Sequence, residues 1–375
     1  MENINQNYKE KIAILITDLH IGGAERVVVN LANSFSNLGY EVEVVLLKAE
    51  GEFIDLLSSK VKLINLEANK QRYALWKIIK YINYSKPSIL LACMWPITIL
   101  AIIAKVFSKS NLKVFVAEHN SWSYAESIHK KILHPIIPLS MKLLFSLAKG
   151  IICVSNGASL DLSRYSKIDI SKITTIYNPV IDLNFDYTIK LSSIDQKKLW
   201  GSAKYKIITI GSLDPQKNHK LLLDALYLLK KNMIDDFHMI ILGEGPLKLK
   251  LETYAQELKL QSNITFAGVS KTPFPYIASA DLFVLTSKWE GLSNVLIESL
   301  ASGTPIVSTD CPWGPSEILD GGKYGKLTSI DDVAELTDSI VFMMNRPHDT
   351  NLLKKRANDF SIQNSVNKYL QLFFK

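Results

Sequence analysis

At 375 residues the chain is long enough for two domains with separate cores, and 47% apolar with 21% charged residues describes an ordinary globular protein, not a disordered or fibrous one. Its 3 cysteines, Cys93, Cys153 and Cys311, are odd in number, far apart and in no metal-ligand spacing, which leaves no disulfide or zinc framework and suits a reducing cytosol. The net charge of +7 belongs to the first half: residues 1–180 carry 21 Lys and Arg against 14 Asp and Glu, and the rest of the chain 22 against 22.

The excess is densest from Lys60 to Lys149, where 14 basic residues stand against 3 acidic ones. A one-sided basic field points to an anionic partner of that half (nucleic acid, an anionic membrane surface or a phosphorylated lipid), unless it is simply a solvated lysine-rich face. Residues 1–10 are polar and charged, unlike a secretory signal. Pro87 to Ala104 runs 18 residues without a charge, a marginal length for a membrane span. Pro96 divides that run, which reads as strand, loop and helix.

In chain order, Lys11–Leu19 is an apolar run ending near a Gly-Gly turn, as a buried strand would be. Ala24–Leu38 has apolar residues at helical spacing and stops at Gly39, a good C-terminal cap. Val42–Leu47 completes a βαβ unit, and Ile89–Cys93, Lys113–Ala117 and Gly150–Val154 continue the alternation. The turn-rich Tyr177–Tyr187 reads as a linker. After it come strand Ile207–Ile210, helix Lys220–Lys231, strand Phe237–Leu242, a helix through Leu260, and strands Ile264–Phe266, Leu282–Leu285 and Pro305–Ser308. The fold class expected is α/β: two Rossmann-like domains with parallel sheets, residues 1–180 and 188–355, and sites at the carboxyl ends of the strands. The last segment, 361–375, spaces Ile362, Val366, Tyr369, Leu370 and Phe373 on one helical face that must pack on something.

Five stretches sit where strands end. IGGAER, Ile21–Arg26, is neither G-x-G-x-x-G nor a Walker loop; its glycines, Gly22 and Gly23, let a ligand approach the backbone or simply make a tight turn. VAEHN, Val116–Asn120, puts His119 at a strand tip, where it is either a structural histidine or a group projecting into a cleft. GSLDPQKNHK, Gly211–Lys220, sets Lys217 near a helix N-terminus, where a cation does not help the helix and a bound anion would explain it. A solvated loop lysine is the plainer reading. LGEGP, Leu242–Pro246, containing Glu244, is weak on its own.

The fifth, Ser287–Leu319, is the most telling. Glu290 lies in a loop at a helix mouth and Glu298 roughly two turns into the helix; eight positions at about 100° each return to within roughly 80° of the start, so both carboxylates can line one cleft. Between them lie the free N–H groups of a helix N-terminus, suited to an anion. A carboxylate pair around an anion site suggests a sugar and a phosphate held together.

Taken together, GGAER, CVSNG, YNP, GSLDPQKN, GEGP, FAG and EGLSNVLIESLASGTPIVSTD resemble glycosyltransferase family 4, over nearly the whole chain from Gly22 to Glu317. The resemblance implies the GT-B fold, two Rossmann-like domains facing across a cleft, with the C-terminal helix crossing back onto the first domain. It implies retaining transfer of a sugar from a nucleotide diphosphate sugar. Glu290 would bond the donor sugar's hydroxyls and Glu298 the ribose. Backbone N–H groups near Gly291, Leu292, Ser293 and Asn294 would meet the pyrophosphate, with Lys217 neutralising it and Gly211 and Glu244 in the same donor pocket. Gly22 and Gly23 would cover the phosphates from the N-terminal side, and His119 would face the anomeric centre. One position departs from the family: Ser212 stands where an arginine usually follows the glycine, so a bidentate phosphate grip is missing.

The chain has no Asp-x-Asp, the usual metal-carrying motif of the other large glycosyltransferase fold, so no metal and no cofactor is expected, and charge on the departing diphosphate would be met by Lys217 and the helix terminus. The tail STDCPWGPSEIL looks more like UDP-sugar enzymes of bacterial polysaccharide assembly than like GDP-mannose enzymes. The acceptor implied is a glycan, linked to polyprenyl diphosphate, held by the basic N-terminal half. Lys70–Lys86 mixes basic, aromatic and aliphatic residues like an interfacial helix, or like a core-packed helix with a wet basic edge. The expected location is cytoplasmic, peripheral at the inner membrane face, with no nucleic-acid partner. A non-catalytic sugar-nucleotide sensor on the same fold is the alternative.

Overall fold

The computed structural model describes residues 10–68, 71–108, 110–125 and 136–375. Two compact units emerge, Met1–Pro179 with Ile362–Lys375, and Val180–Ser361.

The first unit is built on seven parallel strands: β1 Lys11–Ile16, β2 Glu41–Leu46, β3 Lys62–Asn65, β4 Ile89–Cys93, β5 Lys113–Glu118, β6 Gly150–Cys153 and β7 Ile173–Thr175, in the order β3-β2-β1-β4-β5-β6-β7. The inner strands are almost continuously apolar because helices cover both faces; ILLAC of β4 is buried at every position. Ile14 of β1 pairs with Val44 on one side and Leu91 on the other, so the order reverses between β1 and β4. Ligands of open α/β sheets bind outside the carboxyl ends of the strands at such a reversal.

Six helices follow these strands: α1 Gly23–Asn37, α2 Gln71–Ser85, α3 Ile97–Phe107, α4 Trp122–Ala125, α5 Ile136–Leu144 and α6 Asn156–Ser166. Right-handed crossovers put α1 on one face and α2, α3, α5 and α6 on the other. In that second layer α2 packs on α3, α3 on α5 and α5 on α6. α1 buries Val28, Leu31 and Phe35, and Gly39, with φ of 84°, lets the chain turn out of the helix where a side chain would be strained. The uncharged run through Pro87 and Ala104 is β4, a turn with a cis Trp95–Pro96 bond, and α3. Among the described residues no helix is long and apolar enough to cross a membrane.

The second unit alternates α7 Ser193–Trp200, β8 Tyr205–Ile210, α8 His219–Lys231, β9 Phe237–Leu242, α9 Lys248–Glu257, β10 Ile264–Phe266, α10 Phe274–Ser279, β11 Leu282–Leu285, α11 Asn294–Ser302, β12 Ile306–Thr309, α12 Pro315–Ile318, β13 Lys326–Thr328, α13 Val333–Met344 and α14 Thr350–Ala357. Its six parallel strands run β10-β9-β8-β11-β12-β13, and the order again reverses, between β8 and β11. The last helix, α15 Ile362–Phe373, belongs to the first unit, where Tyr369 and Phe373 meet Phe35 of α1 at 6.5 and 5.9 Å between ring centres and Phe373 reaches Phe115 of β5 at 4.7 Å.

Two differences from the sequence reading have physical reasons. Strands β3, β7 and β13 were not anticipated; all three are short sheet edges, KLIN, ITT and KLT, whose polar residues leave no apolar run to read. Helix α11 starts only at Asn294, because Gly291–Ser293 is spent on a turn, so Glu298 stands just over one turn into the helix and not two.

Candidate active site

In the second unit, β8 runs into a loop that folds back over itself. A Cβ on Gly211 would lie 3.1 Å from Lys217 Cδ, so the lysine's aliphatic stem lies across that glycine. Asp214 shapes the turn: its carboxylate accepts from the N–H groups of Gln216 at 2.9 Å and Lys217 at 3.3 Å and from the Ser212 hydroxyl at 2.6 Å. Asn218, left-handed at φ 49°, then leads into α8. His219 at the start of α8 is buried, which pushes its imidazole down to about 4 and keeps it neutral.

The neighbouring loop, after β11, is stitched to this one. Lys288 N–H donates to Gln216 O at 2.8 Å, the Gln216 amide to Trp289 O at 2.9 Å, and Thr286 Oγ1 to Lys217 O at 2.9 Å. The result brings two predicted residues together: Lys217 Nζ lies 2.6 Å from Glu290 Oε1, which also accepts from Ser287 Oγ at 2.6 Å. Glu290 is only 5% exposed, so its charge depends on these donors; a buried carboxylate stripped of its partners would cost several kcal/mol. The lysine's charge, set against the helix dipole, is thus met by Glu290 within the protein itself.

Glu290 is also fixed through its backbone. Its N–H donates to Pro312 O at 2.8 Å, and Trp313 N–H donates back to Glu290 O at 3.4 Å. Gly314, at φ 92°, would bring a Cβ to 3.3 Å from Leu292 Cα and 3.4 Å from Gly291 O. The Pro312–Gly314 segment therefore clasps the turn that opens α11. Beside Glu290, burial first and then the carboxylate's own charge push the Cys311 thiol up, so it stays a neutral thiol.

Helix α11 starts without a side-chain cap: Ser293, its N-cap, is buried, and the Ser293 hydroxyl has no hydrogen-bond partner among the described residues. Asn294 is the first helical residue, and Glu298, 6% exposed, follows in the next turn. A helix start without a side-chain cap, a buried hydroxyl, a lysine and two carboxylates therefore lie within one loop–helix junction. Such a junction can take an anion at the helix mouth and hydroxyl groups at the carboxylates.

The LGEGP stretch is where glycine is sterically required. A Cβ on Gly243 would overlap the Gly211 carbonyl, and one on Gly245 would come within 2.5 Å of Leu213 O. The β9 loop thereby presses onto the β8 loop. Glu244 takes part through its carbonyl, which accepts from Leu213 N–H at 2.9 Å, while its half-exposed carboxylate pairs with Lys248 at 2.7 Å.

In the first unit, Gly22 caps α1 in an extended conformation that any residue adopts, at φ −163°, and a Cβ there would collide with the Glu25 carboxylate. Gly23 is the first residue of α1. Burial raises the Glu25 carboxyl, outweighing its backbone hydrogen bond. At the tip of β5, Glu118 is 1% exposed, accepts from Thr98 Oγ1 at 2.9 Å and Trp95 N–H at 3.3 Å, and is pushed up to about 8 by burial. His119, next to it, has both ring nitrogens buried without a hydrogen-bond partner among the described residues, and burial pushes it down to about 4. Asp161 of α6 caps α4 by accepting from the N–H groups of Trp122 and Ser123.

Sequence reasoning missed Ser287, Gln216 and Glu118. Ser287 and Gln216 sit in loops whose pairing only the folded chain reveals. Glu118 stood within VAEHN, and its place at the end of an apolar strand was a signal of burial. Among the described residues no group of His, Cys, Asp or Glu side chains gathers so as to hold a metal ion.

Comparison with known proteins adds a lineage to this geometry. The profile described as "Glycosyl transferases group 1" matches residues 192–360, and that described as "Glycosyltransferase Family 4" matches residues 21–182. The chain is 30% identical over 389 residues to the N-acetylgalactosamine-N,N'-diacetylbacillosaminyl-diphospho-undecaprenol 4-alpha-N-acetylgalactosaminyltransferase of Campylobacter jejuni, covering 96% of this chain and 99% of that enzyme. A second enzyme of that organism, an alpha-1,4-N-acetyl-D-galactosaminyltransferase acting on GalNAc-alpha-(1->4)-GalNAc-alpha-(1->3)-diNAcBac-PP-undecaprenol, is 26% identical, over 96% of this chain and 98% of its own. Among solved structures, Anabaena HepE in complex with UDP and glucose superposes with a TM-score of 0.80 at 18% identity, covering 96% of this chain and 98% of that one.

Proposed function

The chain belongs to glycosyltransferase family 4, and from that membership together with the Lys217–Glu290 junction we propose that it transfers a hexose or N-acetylhexosamine from a UDP-sugar, with retention at the anomeric carbon, to a lipid-linked glycan.

The observation that carries this reading is the 2.6 Å pair between Lys217 and Glu290 beside the uncapped start of α11. A nucleotide sugar offers each of these groups a better partner than they offer each other. Its diphosphate takes the Lys217 ammonium and the α11 N–H groups; its sugar hydroxyls donate to the freed Glu290 carboxylate, still steadied by Ser287. Glu298, a turn further on, accepts from the ribose. The buried charges are thus compensated before and after binding, and they are preorganised where the diphosphate's charge grows as the glycosidic bond breaks.

Glu290 is committed to a lysine and a serine, so the reading uses no carboxylate nucleophile. The acceptor hydroxyl attacks the anomeric carbon on the face the diphosphate leaves, the carbon–oxygen bond to phosphate breaks, and the departing phosphate oxygen takes the acceptor's proton. Transfer then needs no resident metal and persists in excess chelator. The lipid-linked acceptor is supported by the two Campylobacter relatives, whose names specify undecaprenol-diphosphate glycans, and the uridine nucleotide by the UDP bound in Anabaena HepE.

The test is a screen of nucleotide sugars by thermal shift, since a tight ligand raises the melting temperature by mass action. NMR of the product formed with the hit then gives the anomeric configuration. An inverted product overturns the retaining claim. A nucleotide sugar that binds but is neither transferred nor hydrolysed overturns the enzyme reading in favour of a sensor.

A further inference from the structure

Helices α2, α3 and α5 form one layer on the first unit, and the outer side of that layer is unusual for a soluble surface. On α2 the solvent-facing stripe is Tyr73, Trp76, Lys80 and Tyr84, with Trp76 71% and Tyr84 87% exposed. These positions recur at helical spacing, while Ala74, Ile78 and Ile82 on the opposite side are fully buried. The core is therefore satisfied without the aromatics. Helix α3 ends in Val106 and Phe107, 61% and 66% exposed. On α5, Leu139 and Leu143 are 55% and 60% exposed, one turn apart, with Lys142 between them also exposed. Isolated exposed apolar residues need no explanation, but three packed neighbours that each show them do.

Charge decides what this face meets. Residues 71–107 and 136–149 contain no aspartate or glutamate, while Lys77, Lys80, Lys105, Lys142 and Lys149 lie on or just beyond these helices. A layer with aromatic and aliphatic tips, lysines between them and no acid matches a phospholipid surface: rings settle at the headgroup level, aliphatic ends enter the acyl boundary, and ammonium groups meet anionic headgroups. We propose that the outer face of α2, α3 and α5 docks the first unit on an anionic phospholipid bilayer. This deepens, and rests on, the reading that the acceptor is lipid-linked, since it keeps the enzyme at the surface where such an acceptor lies.

The full-length protein is tested by co-sedimentation with vesicles of phosphatidylcholine alone or mixed with phosphatidylglycerol, at low and high salt. Binding is expected only with phosphatidylglycerol and should weaken as salt rises. Trp76→Ser with Lys80→Glu should weaken it about tenfold or more. Lys355→Glu, a charge reversal at an exposed position of the second unit, should leave it unchanged. Transfer to a water-soluble, short-chain acceptor should be unaffected by any of these substitutions. Equal binding to neutral vesicles, or loss in the Lys355 variant alone, overturns the proposal. So does a concentration-dependent dimer that the Trp76 and Lys80 substitutions dissociate, which would make the face a contact between copies of this chain. Docking that fails while transfer succeeds refutes the surface alone; transfer that fails while docking succeeds refutes the enzymatic reading alone.

Discussion

At the loop after β11 a buried carboxylate, Glu290, keeps an ammonium 2.6 Å away, whereas at the tip of β5 the equally buried Glu118 is surrounded by neutral donors, Thr98 and the Trp95 amide. The consequences are opposite. Lys217 and Ser287 both donate to Glu290, whereas burial pushes Glu118 up to about 8 and His119 beside it down to about 4. The second unit's tip is thus a place of paired charges that a polar ligand can exchange, while at the tip of β5 Glu118 and His119 are both pushed by burial toward their neutral forms. Two sheets of the same architecture have been put to different electrostatic uses by the residues at their carboxyl ends.

The largest expected effect breaks the pair. Glu290→Ala should lower the transfer rate about 10³-fold while leaving UDP affinity within about threefold, because its hydroxyl contacts are worth most as the sugar distorts. Lys217→Ala should cost about 10²-fold in kcat/KM and weaken UDP binding as well, since it removes phosphate charge and leaves Glu290 uncompensated. The double variant should be little worse than Glu290→Ala, because the two residues act as a unit. Steady-state kinetics with calorimetric UDP titrations checks all three, and strict additivity would show that the contact does not couple them.

That coupling marks the limit of what the residues alone disclosed. The parallel α/β class was legible because inner strands such as ILLAC and FHMIIL are near-continuous apolar runs, and amphipathic helices such as α1 and α8 carry periodic signals. Helix α2 was legible too, as a run of mixed basic and aromatic residues, but which aromatics face outward was not. The edge strands β3, β7 and β13, KLIN, ITT and KLT, mix polar with apolar residues and left no apolar run to register. At the candidate site the residue types were readable, and their partners were not. Lys217 near a helix N-terminus implied an anion, but nothing in the spacing of 73 residues said that the anion would be Glu290. Nor did it say that Ser287 would hold the same oxygen. Pairings made by two loops at neighbouring strand ends depend on sheet order, which a single sequence does not display.

A second experiment probes the tip of β5. Glu118 sits near 8 in the folded chain and at its ordinary 4.5 unfolded, so between those values the native state binds a proton the unfolded chain lacks. Its contribution is therefore complete below about 4.5 and is lost as pH rises toward 8, at up to about 1.4 kcal/mol per pH unit. His119 works in the other direction: with a folded value near 4 against 6.5, it costs stability as pH falls through that window. Glu118→Gln removes the first slope and keeps a group able to accept from Thr98. The variant should gain on the parent as pH is raised from 5 to 8 in chemical denaturation, with the acid-side loss unchanged. Parallel stability profiles would mean that Glu118 is ionised in the folded state and that the two tips do not differ as described.

The smallest expected effect adds a charge to the paired tip. Ser212 stands where the family usually carries arginine, and its hydroxyl donates to Asp214 at 2.6 Å, the carboxylate that also holds the Gln216 and Lys217 amides. Ser212→Arg forfeits one exposed hydrogen bond, worth under about 1 kcal/mol, and supplies a planar fork suited to a diphosphate. UDP affinity should rise about three- to tenfold and become more sensitive to salt. Ser212→Ala separates the two contributions, since it loses the hydroxyl without adding the cation, and should leave affinity within about twofold. If the arginine variant binds no tighter than the alanine variant, Asp214 has captured the guanidinium, and the phosphate-binding charge of this tip is confined to Lys217 and the start of α11.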